Sequence, residues 1–352
     1  MSLSPASAIP TELIKHILEL WVERAPEFSP RYSYVHIRRA ALISRAWSGA
    51  ASEVLWRRIS LETVKQANDF MADPGLGKYI TEEVSIQVLA KGFTLPAMLE
   101  KLKGVKELVV GEDGIAATLD FLRLPSLSAL ASLKIGCSVV GASAVPTSPV
   151  SPSFRLQHLT LCGKLTSQRT AIPLLLATSP TLISLDLSNL DGELRPNIPD
   201  ISFPNLVTIK LCKFSRRFVY EVVIPHSPKL QHLYAMDRYF DLETLFKSPK
   251  LELPVGLRSL EFSNIDLEWC WPPVDDKHVD RNQMRNAEVL EEAFRECEAL
   301  KKLEVFCVGW PTDFLDSFEK GRELLETMKR MGVRLEGLNF DRETMGVRLS
   351  EA

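Results

Sequence analysis

The side chains best suited to metal chemistry stand together in one polar segment. His278 lies close to Asp275, Asp276 and Asp280, and imidazole and carboxylate groups are common metal ligands. The segment follows two consecutive prolines and is rich in charge, so a solvated surface loop explains it without a metal. We therefore expect no metal-ligating residue in this chain.

Motifs for nucleophilic or phosphate chemistry are absent from the sequence. Gly136-Cys137-Ser138 lacks the second glycine of a G-x-S-x-G elbow, and there is no phosphate-binding loop or dinucleotide fingerprint. His158 and His232 fall in predicted strands three repeats apart, roughly 15 Å at about 4.8 Å per strand, which is too far for joint catalysis. We predict no catalytic residue, no cofactor and no enzymatic activity.

The charge and the cysteines of the chain limit its expected partners and its expected cellular compartment. The 42 Lys and Arg against 45 Asp and Glu give a net charge of -3, which argues against a general nucleic-acid or membrane-surface binder. No zinc-ligand spacing occurs, and the first ten residues lack the basic start and apolar core of a secretory signal. We expect a cytoplasmic and/or nuclear protein with reduced thiols at its six cysteines, Cys137, Cys162, Cys212, Cys270, Cys297 and Cys307.

The first 61 residues have helical periodicity and a net charge of +3, from eight Lys or Arg and five Glu. A first helix is predicted from Thr11, which can cap it, to a point before Pro26. Further helices are predicted at 34–46 and 49–56. The first helix has two apolar rows, Leu13-Ile17-Leu20 and Ile14-Leu18-Trp21. One row can pack on the sibling helices, so the other needs a second surface to cover it.

The rest of the chain repeats an L-x-x-L-x-L pattern nine times, with six successive intervals of 24 to 27 residues. That period is typical of leucine-rich repeats and predicts an α/β solenoid with a curved parallel sheet and helices and loops on its convex side. The central residues of the nine matches are Leu108, Leu133, Leu159, Leu185, Ile209, Leu233, Leu260, Leu303 and Leu338.

Domain boundaries follow from these two patterns. We predict a helical domain at 1–61 and a repeat domain at 62–352, interrupted by insertions near 138–153 and 264–286. Two C-terminal helices are predicted at 287–300 and 312–331, the second stopped by Gly332.

Residues that flank the central leucine of each strand are predicted to point to the concave face. The C-terminal half of that face, with the adjoining insertion, is predicted to bind another protein, because aromatic anchors dominate binding energy and loops on a rigid scaffold commonly recognise ligands. Two alternatives stay open: Asp186 and Lys210 on adjacent strands simply pair, and the insertion tryptophans fold back as core. The candidate residues for this binding are His232, Tyr234, Glu261, Glu304, Phe306, Trp269 and Trp271.

The helical segment resembles an F-box. Ile9-Pro10-Thr11-Glu12-Leu13, Ile17-Leu18, Ile43-Ser44-Arg45-Ala46-Trp47 and Leu55-Trp56 follow the order of that family's motif, with Ile9 in place of the usual Leu. The combination with leucine-rich repeats looks especially like the F-box proteins expanded in basidiomycete fungi.

This resemblance implies a substrate-recruiting adaptor of a Skp–cullin–F-box (SCF) ubiquitin ligase, for ubiquitin-dependent degradation of a protein client. The F-box would dock on a Skp-type linker and through it on a cullin, while the repeats bind the client; no nucleic acid or membrane is implied. The alternative is an interaction scaffold whose helices merely cap the solenoid. The residues implied to face the linker are Pro10, Leu13, Ile14, Ile17 and Leu18, with Trp47, Leu55 and Trp56 as mixed core and interface.

Overall fold

The fold is described from a computed structural model of the chain. It divides into two compact units, Met1–Cys137 with Pro152–Phe154 and Ser138–Ser151 with Arg155–Ala352, and each is described by itself. The described residues are 9–23, 37–111, 119–136, 154–162, 168–188, 201–211, 218–236, 253–263, 281–297, 300–308, 319–341 and 346–351.

The first helix, α1, spans Thr11–Glu23 and ends before Pro26, as predicted. The backbone N–H groups of Leu13 and Ile14 both donate to the Pro10 carbonyl at 3.1 Å. Pro10, rather than Thr11, is therefore the residue at which the helical hydrogen bonding begins, which corrects the predicted cap.

The second long helix, α2, spans Arg45–Arg57 and differs from the prediction. The chain is helical at 37–40, turns at 41–43, and enters α2 through Ser44, whose Oγ accepts from the Trp47 N–H at 3.4 Å. The predicted helix at 34–46 therefore ends earlier than expected, and the next begins at Arg45 instead of residue 49. A serine cap starts a new helix where periodicity alone suggests a continuous one.

Within its described residues the first unit has four parallel strands, β1 Arg58–Leu61, β2 Glu83–Ile86, β3 Glu107–Val110 and β4 Ser132–Ile135. Helix α2 runs directly into β1, so residues 58–61, assigned above to the helical domain, form the first strand of the sheet. Helices α3, Val64–Ala72, and α4, Leu95–Leu99, follow β1 and β2.

Strands β1 and β2 were missed because their sequences do not fit the leucine pattern. In β2 the inward residues Val84 and Ile86 are buried as the pattern requires, but Thr81 occupies the position of its first leucine. Thr81 is also buried, and its backbone N–H donates to the Lys103 carbonyl at 2.9 Å.

The described part of the second unit has seven parallel strands and one antiparallel strand. The parallel strands are β5 His158–Leu161, β6 Ser184–Leu187, β7 Thr208–Leu211, β8 His232–Met236, β9 Ser259–Ser263, β10 Val305–Val308 and β11 Arg334–Asp341. The unpredicted β12, Gly346–Glu351, pairs antiparallel with β11. The helices are α5 Gln168–Thr178, a π-helical turn Val219–Val223, α6 Arg281–Glu296 and α7 Glu319–Met331.

The core of the second unit is a ladder of equivalent residues. Leu159, Leu185, Ile209, Leu233 and Leu260 align in register on adjacent strands, and all five are buried. The chain is therefore a mixed α/β protein whose parallel sheet is built from leucine-rich repeats, as the spacing predicts for β3 to β9.

The register of the last two repeats is a correction. Phe306 aligns with Leu260 on one side and Leu335 on the other, so Phe306 and Leu335 are the central residues, not Leu303 and Leu338. The prediction is displaced by three residues in both strands. At β10 two overlapping matches to L-x-x-L-x-L exist, centred on Leu303 and Phe306, whereas at β11 the correct register does not fit the pattern, because Gly332 and Gly337 hold the positions around Leu335.

The C-terminal helices agree in part with the predictions. Helix α6 begins at Arg281, six residues before the predicted start. Helix α7 ends at Met331 and is followed by Gly332, which adopts a left-handed φ of 73°. The 138–153 insertion, Trp269, Trp271 and the His278 segment lie outside the described residues. Within the described residues, no helix is both long and apolar enough to cross a membrane.

Phe306 tests the corrected register, because it is fully buried and packs edge-on against Phe294 with ring centroids 5.1 Å apart. We expect Phe306→Ala to lower the free energy of unfolding by about 3–5 kcal/mol, measured by urea denaturation. The control Val255→Ala removes an exposed side chain and should change it by less than about 0.5 kcal/mol. Equal stability of the two variants would contradict the assignment of Phe306 to the core.

Candidate protein-interaction surfaces

The inner face of α1 forms the core of the N-terminal helical unit. Ile14, Leu18 and Ile37 are fully buried there, and the buried side chains of Trp47 and Val54 belong to the same cluster. The expectation that Ile14 and Leu18 face a linker is therefore corrected, because both side chains are used to hold α1 against α2. Trp47, expected to be shared between core and interface, also lies in this core.

The outer face of α1 carries a different apolar row. Leu13 is 49% exposed and Trp21 is 45% exposed, Pro10 is exposed, and Ile17 is partly buried. These residues follow one another at three- and four-residue steps, which places them on one side of the helix. We call this row, Pro10, Leu13, Ile17 and Trp21, the outer row. The sequence places Trp21 in the same row as Ile14 and Leu18 and does not determine which row is buried, so the exposure of Trp21 is a finding of the structure.

A second exposed apolar group lies in the turn before α2. Leu42 is 85% exposed and Ile43 is 53% exposed, which is unusual for two consecutive large aliphatic residues. Ile43 belongs to the F-box-like motif described above but was not predicted to face the linker. No role was predicted for Leu42. The available signal was the Ala41-Leu42-Ile43-Ser44 sequence, in which apolar residues continue past the end of a helix up to a capping serine.

The last two residues of the F-box-like motif connect the helices to the repeats. The Trp56 ring packs against Phe70 of α3 and Tyr79, at centroid separations of 5.8 and 6.4 Å. Leu55 packs against the helical core. Trp56 therefore contacts the first repeat of its own chain, and both residues are only partly exposed.

A chain of ion pairs joins α1, α2 and the sheet of the first unit. The Arg57 guanidinium donates to Glu19 of α1 at 2.7 Å and to Glu82 at 2.5 Å, and Lys106 donates to Glu82 at 2.6 Å. Lys15 also pairs with Glu53. The hydrogen bonds from Lys106 and Arg57 lower the pKa of the Glu82 carboxyl group. The hydrogen bond that Arg57 donates to Glu82 raises the pKa of the Arg57 guanidinium. These contacts hold α1 in one position against the first strands.

The second unit presents polar side chains on the sheet face opposite its leucine ladder. Asp186, Lys210, Tyr234 and Glu261 occupy equivalent positions on β6 to β9 and are all partly exposed. We call these four residues the open row. Beside them, His232 Nδ1 lies 2.7 Å from Ser259 Oγ on the next strand.

Two members of the open row contact each other, and a third accepts hydrogen bonds from a nearby serine. Lys210 Nζ lies 5.5 Å from the centroid of the Tyr234 ring, a cation–π distance. Asp186 accepts hydrogen bonds from the Ser188 backbone N–H at 3.0 Å and from its Oγ at 2.6 Å. Asp186 is thus engaged by Ser188 and Lys210 by Tyr234, rather than the two residues pairing across the strands.

Two candidate client residues occupy positions other than those expected. Glu304 precedes β10 and pairs with Arg258 at 3.8 Å, with both side chains exposed. Phe306 is in the core. The structure therefore brings His232, Tyr234 and Glu261 together on one face, and it excludes Phe306 from that face.

The described residues offer no evident metal site. Groups of three or more His, Cys, Asp or Glu side chains arranged to hold an ion do not occur among them. Cys162 is buried and Cys297 is partly buried.

Comparison with protein families agrees with the strand pattern. A family model described as FBD-associated F-box protein At5g56370, LRR repeats, matches residues 97–259. Over these residues the chain is similar to the leucine-rich repeats of an F-box protein. The matched range begins in α4 and reaches the first residue of β9, and helices α1 and α2 lie outside it. A search of curated proteins gave no match.

The ion pairs of Glu82 predict a pH dependence of stability. Because its folded pKa is lowered, Glu82 stabilises the fold above the ordinary value of 4.5, and this contribution is lost as the pH falls below it. We expect Glu82→Gln to cost about 0.2–1 kcal/mol per lost pair at neutral pH. Thermal unfolding followed by circular dichroism at several pH values checks this.

The matched control is Glu100→Gln, which changes an exposed carboxylate in the same unit. The difference between Glu82→Gln and the wild type should shrink below pH 4.5, while Glu100→Gln should follow the wild type throughout. A stability difference for Glu82→Gln that is independent of pH would contradict the electrostatic role of Glu82.

Proposed function

We propose that this protein is the substrate-recruiting adaptor of an SCF-type cullin-RING ubiquitin ligase. Helices α1 and α2 dock on a Skp-type linker, and the open row of the repeats contributes to binding a protein client. The adaptor itself carries out no chemistry. The observation that carries the proposal is the outer row of α1, which stays exposed on a helix whose other face is fully packed.

The energetics of the outer row support a protein partner. Fully burying a large apolar side chain contributes roughly 1.5–3 kcal/mol. Because Leu13 and Trp21 are each about half exposed, together they offer about 1.5–3 kcal/mol to a partner that covers them. Exposed aliphatic and aromatic residues in a regular row on a helix are typical of a helix-docking surface rather than of scattered surface residues. The similarity of residues 97–259 to F-box-protein repeats adds independent support.

The attachment of the helices to the sheet suits an adaptor. Helix α2 continues into β1 without a loop, and Arg57 pairs with both Glu19 and Glu82 at that junction. A partner bound to α1 is then held at a fixed position relative to the first strands of the repeat sheet. Such a fixed position is what presentation of a client for ubiquitin transfer requires.

A second candidate function is an interaction scaffold that is not attached to a ligase. The complete core around Ile14, Leu18 and Trp47 favours it, because such a helical unit can cap the end of a repeat sheet without any partner. The two functions differ in one property, which is direct binding of a Skp-type linker by the helical unit.

The first test replaces two members of the outer row. We expect the double variant Leu13→Asp, Trp21→Asp to lose binding to a recombinant Skp-type linker in isothermal titration calorimetry, because two unpaired carboxylates would be buried in an apolar interface. Circular dichroism should remain that of the wild type, since both side chains are exposed.

The matched control is the double variant Val64→Asp, Ile80→Asp, which places the same charges on exposed aliphatic positions of the first unit outside α1 and α2. It should bind the linker as the wild type does. If the wild type itself does not bind the linker while the chain is folded, the scaffold function is the correct one.

The second test concerns the client. We expect Lys210→Gln with Tyr234→Ala to remove a subset of the proteins that co-purify with the full chain from cells, as identified by mass spectrometry, while binding to the linker is kept. The reason is that this pair forms the aromatic and cationic centre of the open row.

The control for this test is Arg295→Gln with Val255→Ala, which makes the same kinds of change at exposed positions of the second unit away from the open row. Its co-purifying proteins should match those of the wild type. An unchanged set for the Lys210 and Tyr234 variant would place the client elsewhere.

A further inference from the structure

Three polar side chains occupy matching positions in consecutive repeats of the second unit. Each lies in the turn before a strand, where it directly follows a proline and directly precedes the first leucine of its repeat. We call these three residues the spine: Thr181, Asn205 and Lys229.

The spine joins each repeat to the one before it. Thr181 Oγ1 donates a hydrogen bond to the Leu156 carbonyl oxygen at 2.7 Å. Asn205 Nδ2 donates to the Pro180 carbonyl oxygen at 2.9 Å. Lys229 Nζ in turn donates to Asn205 Oδ1 at 2.8 Å. Asn205 therefore has one hydrogen bond to the repeat before it and one to the repeat after it.

These side chains add a connection in front of the backbone ladder. The first backbone hydrogen bonds between the same repeats lie two residues further along the chain. There the Val207 N–H donates to the Ile183 carbonyl at 2.8 Å, and the Gln231 N–H donates to the Val207 carbonyl at 2.9 Å. A proline in the turn has no N–H and cannot donate. The polar side chain that follows each proline supplies a donor in its place.

The spine ends on both sides of the turns before β6, β7 and β8. The matching position before β9 is Gly256, which has no side chain. The matching position before β5 is Arg155, whose side chain makes no hydrogen bond or ion pair within the described residues. The extra connection is therefore local to three strands of the sheet.

Those three strands are the ones that present the first three members of the open row, Asp186, Lys210 and Tyr234. The cation–π contact of Lys210 with Tyr234 crosses from β7 to β8, with Nζ 5.5 Å from the ring centroid. Because this attraction needs a separation within about 6 Å, a small displacement of one strand against the other removes it. The bond between Lys229 and Asn205 joins the same two repeats at the start of these strands.

On these grounds we infer that the spine positions the open row. Thr181, Asn205 and Lys229 hold β6, β7 and β8 at the spacing that brings Lys210 and Tyr234 together. The inference goes beyond the proposed function, because the three spine residues lie in the turns and not on the strands that present the open row. It rests on the proposed function in one consequence, which is that loss of the spine also alters client binding.

The first test observes the contact between Lys210 and Tyr234 by NMR of the full chain with its six tyrosines isotopically labelled. The ring resonance of Tyr234 is identified by its loss in Tyr234→Phe, and Lys210→Gln gives its position without the cation. We expect Asn205→Ala to shift the resonance toward the Lys210→Gln position, because Asn205 makes both bonds. An unchanged resonance would overturn the inference, because a residue that only stabilises the fold leaves the native contact as it is.

Lys229 allows a conservative replacement to be compared with a disruptive one. Lys229→Met removes the ammonium group and keeps the aliphatic chain, whereas Lys229→Arg keeps a cationic donor. We expect Lys229→Met to shift the Tyr234 resonance in the same direction as Asn205→Ala, and Lys229→Arg to leave it near the wild-type position. Both side chains are exposed, so these variants should fold as the wild type does. Identical spectra for Lys229→Met and Lys229→Arg would contradict the role of the hydrogen bond.

The matched control is Arg155→Ala, at the equivalent position of the repeat before Thr181. This variant removes an exposed polar side chain that belongs to no connection between repeats in the described residues. The Tyr234 resonance should stay at its wild-type position. An equal shift in Arg155→Ala and Asn205→Ala would mean that any change in these turns displaces the strands, and it would overturn the inference.

Co-purification from cells separates this inference from the proposed function. We expect Asn205→Ala to lose the same subset of proteins as Lys210→Gln with Tyr234→Ala. If the resonance shifts as expected but neither variant changes the co-purifying proteins, the inference stands and the client-binding part of the proposed function fails. If only the Lys210 and Tyr234 variant loses proteins, the spine does not position the open row for binding, and the inference is overturned.

Discussion

The four-residue strand is the constraint on which the rest of the fold depends. A strand such as Ser184–Leu187 directs two side chains, Leu185 and Leu187, into the core and two away from it. Burial of two leucines contributes roughly 3–6 kcal/mol, whereas ordering one residue of backbone costs roughly 1–2 kcal/mol. A repeat of 24 to 27 residues therefore cannot fold alone and is stable only between neighbours in register. The outward residues contribute little to this core, which leaves positions such as Tyr234 available for contact with other molecules.

The junction between α2 and β1 gives the helices their fixed position within the first unit. Arg57 ends the helix and Arg58 begins the strand, and the two side chains pair with different partners, Glu19 and Glu82 for Arg57 and Glu83 for Arg58. Exposed ion pairs of this kind each contribute little to the stability of the fold. Glu82, however, also accepts a hydrogen bond from Lys106, and the pairs together form a network over three elements. Because no loop separates helix from strand, the orientation of the helices is coupled to that of the sheet by both covalent geometry and charge.

The sequence was sufficient to predict the fold where each repeat contains one unambiguous pattern. It predicted β3 to β9 because their inward positions are apolar and evenly spaced. It failed at β2, where Thr81 is buried in place of a leucine, because a polar residue in the core cannot be recognised from hydrophobic spacing. It also failed at β10, where Leu303 and Phe306 each satisfy the pattern as the central residue. Only the pairing of Phe306 with Leu260 decides between these two registers.

The sequence predicted that α1 has an apolar row to dock on a partner, but it did not determine which face of α1 carries that row. Helix α1 has two apolar rows of similar size, so periodicity alone does not determine which row is buried. The charges beside those rows contain the missing signal. Lys15 and Glu19 stand four residues apart on α1, and their partners Glu53 and Arg57 stand four residues apart in the same order on α2. Opposite charges at matched spacing on two helices indicate the faces that meet. That face of α1 includes the buried Ile14–Leu18 row, which leaves the outer row for a partner.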